Sequence, residues 1–185
     1  MTGPPATVSV HPRARVTGAV YLLYFLTSIL GVTLTSHGRV SAGLSMNLLS
    51  AGLYLAVALL FYRLFRPVSQ KLSLVAACCA AAGCLVMVLG LLHRAPAWAN
   101  PLYFFGPYCL LLGVLMVGSR FLPRVLGVVM MLAGIGWLIY LLPSLPHAGT
   151  IGIEALGILA EGSLMLWLVA MGVNVERWQE QAAGR

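Results

Sequence analysis

Six apolar runs of 17 to 21 residues, at 16–34, 42–61, 72–92, 102–118, 125–142 and 152–172, follow one another with only short polar links between them. Five carry no charged residue, and the sixth carries two carboxylates, Glu154 and Glu161. A helix rises about 1.5 Å per residue, so about 20 residues cross the ~30 Å hydrocarbon core of a bilayer. In that solvent a lone segment satisfies its own backbone hydrogen bonds only as a helix. The pattern predicts an all-α polytopic membrane protein, a bundle of six transmembrane helices. Composition agrees: 61% of the residues are hydrophobic and 8% charged, against about 25% charged in a soluble domain.

The links divide the chain. Residues 1–12 are turn-rich without an apolar period and read as a disordered tail; 13–175 form the six-helix domain; 176–185 form a short polar tail in which Trp178 anchors an interfacial helix. Arg13 and Arg15 ahead of the first run also fit a signal peptide, with Val40, Ser41 and Ala42 imitating a cleavage site. The length of that run and its aromatics Tyr21, Tyr24 and Phe25 suit a permanent span better. The polar link 62–71 contains Pro67, which disfavours helix before it. In the third run, AACCAAAGC at 76–84 lets backbones approach closely, which predicts a central helix. Gly106 and Pro107 predict an irregular start to the fourth.

Lys and Arg set the orientation. Nine fall in the segments that six spans place on the side of the termini, and two, Arg39 and Arg94, on the other. The positive-inside rule then puts both termini in the cytoplasm. The net charge of +7 lies between apolar runs and not in one patch, so nucleic acid is not the partner it suggests. The lipid bilayer is, and a compact bundle of this size also suits a homo-oligomer. Cys78, Cys79, Cys84 and Cys109 sit inside apolar runs without ligand-like spacing to a histidine, as packing residues do.

The last run carries the candidate site. Glu154 and Glu161 are seven residues apart, close to two helical turns, so they share a face with Gly157, where a neighbouring helix can approach. An ionisable residue at the bilayer centre costs roughly 2.5–3.5 kcal/mol to insert and almost always faces the bundle interior. Two readings stay open. Glu161 either hydrogen-bonds Asn47, Ser50 or a tyrosine and fixes helix packing, or lines a cavity and binds a cation, a proton or a polar headgroup. Candidate ligand-binding residues are Glu161, Glu154, Asn47, Trp167 and Tyr140, and Tyr21, Tyr24, Tyr54, Trp137 and Tyr140 are candidate walls of an apolar pocket. His37, His93 and His147 fall one to each outer link and with Glu154 make a weaker metal-site candidate. No cofactor motif is present. No Gly-x-Ser-x-Gly, His-Glu-x-x-His or phosphate loop occurs, and the chain has no aspartate, all of which argues against a hydrolase. The similar links around Arg63–Pro67 and Arg120–Arg124, about 55 residues apart, also suggest a two-helix repeat.

Four segments, RVTGAVYLL at 15–23, LFRPVS at 64–69, FLPRVLG at 121–127 and EGSLMLWL at 161–168, resemble the DUF4386 family of bacterial membrane proteins over nearly the whole chain after the tail. The resemblance implies a multi-span bacterial inner-membrane protein of uncharacterised activity; it includes Glu161 and Trp167 but supplies no catalytic residue. The first outer link is shorter here than in that family. Three functions are left: binding, sensing or carrying a small or lipid-like ligand beside Glu161; an accessory membrane subunit with Glu161 as a packing residue; or a metal-dependent membrane enzyme using Glu154, Glu161 and the outer histidines.

Overall fold

The structure, a computed structural model, describes residues 11–96, 98–142 and 147–184, with the backbone alone at 11–13 and 147–148. Among them are seven helices and no strand: α1 His11–Ser36, α2 Val40–Phe65, α3 Gln70–Leu91, α4 Leu102–Gly118, α5 Arg124–Tyr140, α6 His147–Ala170 and α7 Val175–Ala183. The all-helical class is as the apolar runs predict. Span lengths are less uniform than expected, because only α1, α2, α3 and α6 are both long and apolar enough to cross a membrane. Helices α4 and α5 have 17 residues each, about 25 Å of rise.

The helix ends follow local chemistry. The link between α1 and α2 turns within three residues because Gly38 takes φ 78°, a left-handed conformation open to a residue without a Cβ. Ser69 caps α3 by accepting from Leu72 N, and Asn174 caps α7 by accepting from Arg177 N. Gly172, at φ 70°, ends α6 as Met171 and Gly172 both donate to Trp167 O, the usual glycine stop. Helix α2 runs past its expected end: Leu64 and Phe65, read as link, are helical and buried at 4% and 0% exposure, so packing carries the helix up to the residue before Arg66 and Pro67.

Three other expectations need correction. Helix α1 starts at His11, so the last two residues of the predicted tail are helical, while its first ten lie outside the described residues. Gly106 and Pro107 do not interrupt α4, which is continuous from Leu102; Asn100 Oδ1 accepts from Leu102 N and starts it cleanly. Helix α3 is not central, since its main contacts are with α2 and α4 alone. Its small residues serve a local approach, with the Phe105 ring of α4 packed against Gly83.

The six long helices form a closed ring in chain order. Each packs on the next, and α6 returns to α1. Glycines set the closest approaches: Gly18 of α1 faces the backbone of Leu168 and Val169 on α6, and on α4 and α5 Gly106 faces Gly134 and Gly113 faces Gly127. One half of the ring interior is solidly packed by Phe65, Leu112, Met116, Met130, Leu164 and Leu168, all at most 1% exposed. Outside the ring, α7 lies across its end. Trp178 Nε1 donates to Leu64 O at the end of α2, and Gln181 Nε2 donates to Gly118 O at the end of α4.

Candidate functional site

The carboxylate of Glu161 is held by the neighbouring helix, α1. Tyr21 Oη donates to Glu161 Oε2 at 2.8 Å, and Tyr21 itself is 1% exposed. The contact follows from the glycine approach, because Gly18 and Tyr21 lie three residues apart on one face of α1 and Gly18 lets α6 come to backbone distance. Of the partners read from the sequence, a tyrosine is the one used. Ser50 Oγ instead donates to Asn47 O in its own helix.

Beside Glu161 lies a cavity of about 170 Å³, lined by Tyr24, Tyr54, Met87, Leu102, Phe105, Trp137 and Glu161. Every helix of the ring gives at least one of these side chains, α1 to α6 in turn. The cavity therefore occupies the ring's centre. Glu161 is its one carboxyl side chain, and four of the other six are aromatic. Tyr54 organises the rings, with centroids 4.8 Å from Tyr24 and 5.2 Å from Phe105. Tyr54 is 4% exposed. Trp137 reaches the cavity because Gly157 leaves room for its indole, which is the helix approach that the shared face of Glu154, Gly157 and Glu161 predicts.

One helical face of α6 thus carries two carboxylate sites. Glu154, about 10 Å along the helix from Glu161, is exposed and accepts from Tyr140 Oη at 3.1 Å. Trp137 stands between them, its ring 6.0 Å from that of Tyr140. Asn47 lies elsewhere, in a larger cavity of about 610 Å³ at the opposite end of the ring from α7, shared with Thr35, Gly90, His93 and Pro101. Met87 lines both spaces. Trp167, six residues beyond Glu161 and about 120° around the helix, packs partly buried against the core and does not line the Glu161 cavity.

The histidines of the metal-site candidate are dispersed. His37 places Nδ1 2.8 Å from Thr33 O of its own helix, His93 ends α3 at φ 54° and faces the larger cavity, and the side chain of His147 lies outside the described residues. Among the described residues no three His, Cys, Asp or Glu side chains gather as a metal set. Sequence reasoning missed Met87, Leu102 and Phe105. Gly83 was the available signal for Phe105, since a glycine among alanines and cysteines marks where a large ring must fit.

Apolar helices in a closed ring, with a carboxylate and aromatics at its centre, define a polytopic helical membrane protein. Residues 92–172 match the model of DUF4386, a domain of unknown function, so the family resemblance holds for the part that carries α4, α5 and α6, Glu154 and Glu161. The segments at 15–23 and 64–69 fall outside that match. No curated protein and no solved structure matches the chain.

Proposed function

We propose that this is a six-span bacterial inner-membrane protein, both termini cytoplasmic, that binds a small or lipid-like ligand in the central cavity beside Glu161. The observation that carries the reading is the cavity wall itself, built from all six helices with one carboxylate and four aromatic rings. Ligand sites in helical bundles are typically of this kind, mostly apolar with a few placed polar groups. The cavity is one-sided. Towards α7 the interior is filled by Tyr108, Leu112, Leu164 and Phe65; away from α7 Met87 lines both it and the larger space. A ligand arriving from the outer face meets that larger space first, and Met87, an adaptable side chain, forms the gate.

The course of α4 and α5 supports the six spans despite their length. Helix α7 touches the last carbonyls of both α2 and α4, so α4 runs the same way as α2 and ends at the same face. A stretch short of the hydrocarbon thickness is accommodated by local thinning of the bilayer. Single cysteines tested with an impermeant thiol reagent, in a background lacking the four native ones, check this: Ala99→Cys should label from outside and Arg120→Cys from inside only. Labelling of both from one side would make α4 and α5 a re-entrant hairpin.

Native mass spectrometry of protein extracted from its own membrane tests the ligand. A defined small molecule or lipid retained by the wild type and lost in Glu161→Gln supports the cavity reading, and ligand-free spectra of both overturn it. The Tyr21–Glu161 hydrogen bond favours a second reading, an accessory subunit in which the carboxylate locks α6 to α1. A homo-oligomer or another protein retained in the same spectrum, without a small molecule, is its signature.

A further inference from the structure

We infer that the central cavity selects a compact organic ammonium group, such as a methylated or protonated amine at the head of a solute or an amphiphile. This rests on the cavity reading above and adds the chemistry of the occupant. Three features of the wall point the same way. First is the sign of the charge the lining can carry: Glu161 is its one carboxyl group, and no Lys, Arg or His lines the cavity with it. A carboxylate at this depth is stabilised by a partner of opposite charge, and Tyr21 supplies a hydrogen bond without supplying that charge.

Second is the surface around the carboxylate. Tyr24, Tyr54, Phe105 and Trp137 present aromatic faces and edges to the same space. An aromatic face attracts a cation through its quadrupole, most effectively where water is excluded, and aromatic walls are how quaternary ammonium groups are recognised. A hard metal cation asks for the opposite surroundings, since calcium takes six to eight oxygens and magnesium a near-octahedral shell. The cavity offers one carboxylate and tyrosine hydroxyls, and among the described residues no metal-binding group forms.

Third is the fit. The volume of about 170 Å³ equals the liquid volume of about six waters, enough for a trimethylammonium head and a short polar arm. The Tyr54 hydroxyl belongs to a side chain that lines the cavity and can bond that arm. Behind Met87, the larger space is walled mainly by Val40, Leu44, Val86 and Leu91, an apolar path for the rest of an amphiphile.

The test uses the full-length protein in lipid nanodiscs and two probes of nearly one shape, choline and its uncharged carbon isostere 3,3-dimethyl-1-butanol, titrated by calorimetry. Choline should bind at least tenfold more tightly than the alcohol, and Glu161→Gln should weaken choline at least tenfold while leaving the alcohol unchanged. Tyr24→Leu, which removes an aromatic face but breaks no hydrogen bond, should weaken choline several-fold without weakening the alcohol; it carries the test if Glu161→Gln does not fold. Equal binding of the two probes overturns the ammonium assignment and leaves an apolar ligand cavity standing. Choline affinity that is the same in wild type and both variants overturns it as well, since the binding would then lie elsewhere. Binding of neither probe also overturns it, and the mass spectrum of the extracted protein then decides the cavity reading separately.

Discussion

The most exacting consequence of the ring concerns Gly113, where α4 meets α5 backbone to backbone. An alanine methyl there would stand 2.6 Å from Gly127 O and 2.8 Å from Met131 N, about 0.8 Å inside ordinary contact. Met131 Cγ, nearer still, can turn away, but these two atoms are helix backbone, so no side-chain rotation relieves the clash and the two helices must separate. Overpacking of this kind costs about 1–3 kcal/mol. The same substitution gains about 0.8–1 kcal/mol of helix propensity. Because α4 and α5 are locked again at Gly106 and Gly134, separation spreads along the pair, and we expect the upper end of the cost, a net destabilisation of about 1–2 kcal/mol. Gly52 on α2 is the control: nothing lies within 4 Å of a Cβ placed there, so Gly52→Ala keeps the propensity gain and stabilises by about 0.5–1 kcal/mol. Unfolding in mixed micelles by titration with a denaturing detergent, followed by circular dichroism, measures both. Two alanine variants shifted in the same direction by similar amounts would refute the tight α4–α5 seam.

Three further outcomes follow from the contacts around the ring. Glu161→Gln should melt close to the wild type because the amide oxygen still accepts from Tyr21, whereas Glu161→Leu should lose about 0.6–1.7 kcal/mol, the range of membrane hydrogen bonds; a double-mutant cycle of Glu161→Leu with Tyr21→Phe that shows simple additivity would sink the pairing. Trp178→Phe removes the bond to Leu64 O and should cost about 1 kcal/mol locally, seen as faster proteolysis within α7 at nearly unchanged melting of the bundle; unchanged proteolysis would mean α7 is held by other contacts. Met87→Trp should slow choline association in stopped-flow mixing while Met87→Ala does not, and equal rates in the two would remove Met87 as the gate.

Much of the architecture was legible in the residues. Apolar runs of membrane-crossing length, the glycines and prolines between them and two carboxylates in the last run determine helices, their approximate ends and the polar face of α6, because helix formation in an apolar solvent is a local requirement of the backbone. Even the Gly157 approach followed from a periodicity of 3.6. The family resemblance agrees over residues 92–172.

What lay beyond reach was set by which helices meet. That Tyr21 and not Ser50 holds Glu161 depends on Gly18 lying against Leu168 and Val169, a contact across 150 residues of chain. That Met87, Leu102 and Phe105 face the carboxylate while Trp167 turns away depends on the order of the ring and the rotation of each helix within it. Helix α3 shows the limit plainly: its small residues announce a close approach, but small residues mark any such contact, and the ring put it beside one phenylalanine instead of at the centre. Sequence determines local structure through forces that act within a turn or two; the site belongs to side chains from six helices, and only their packing decided which of them share its space.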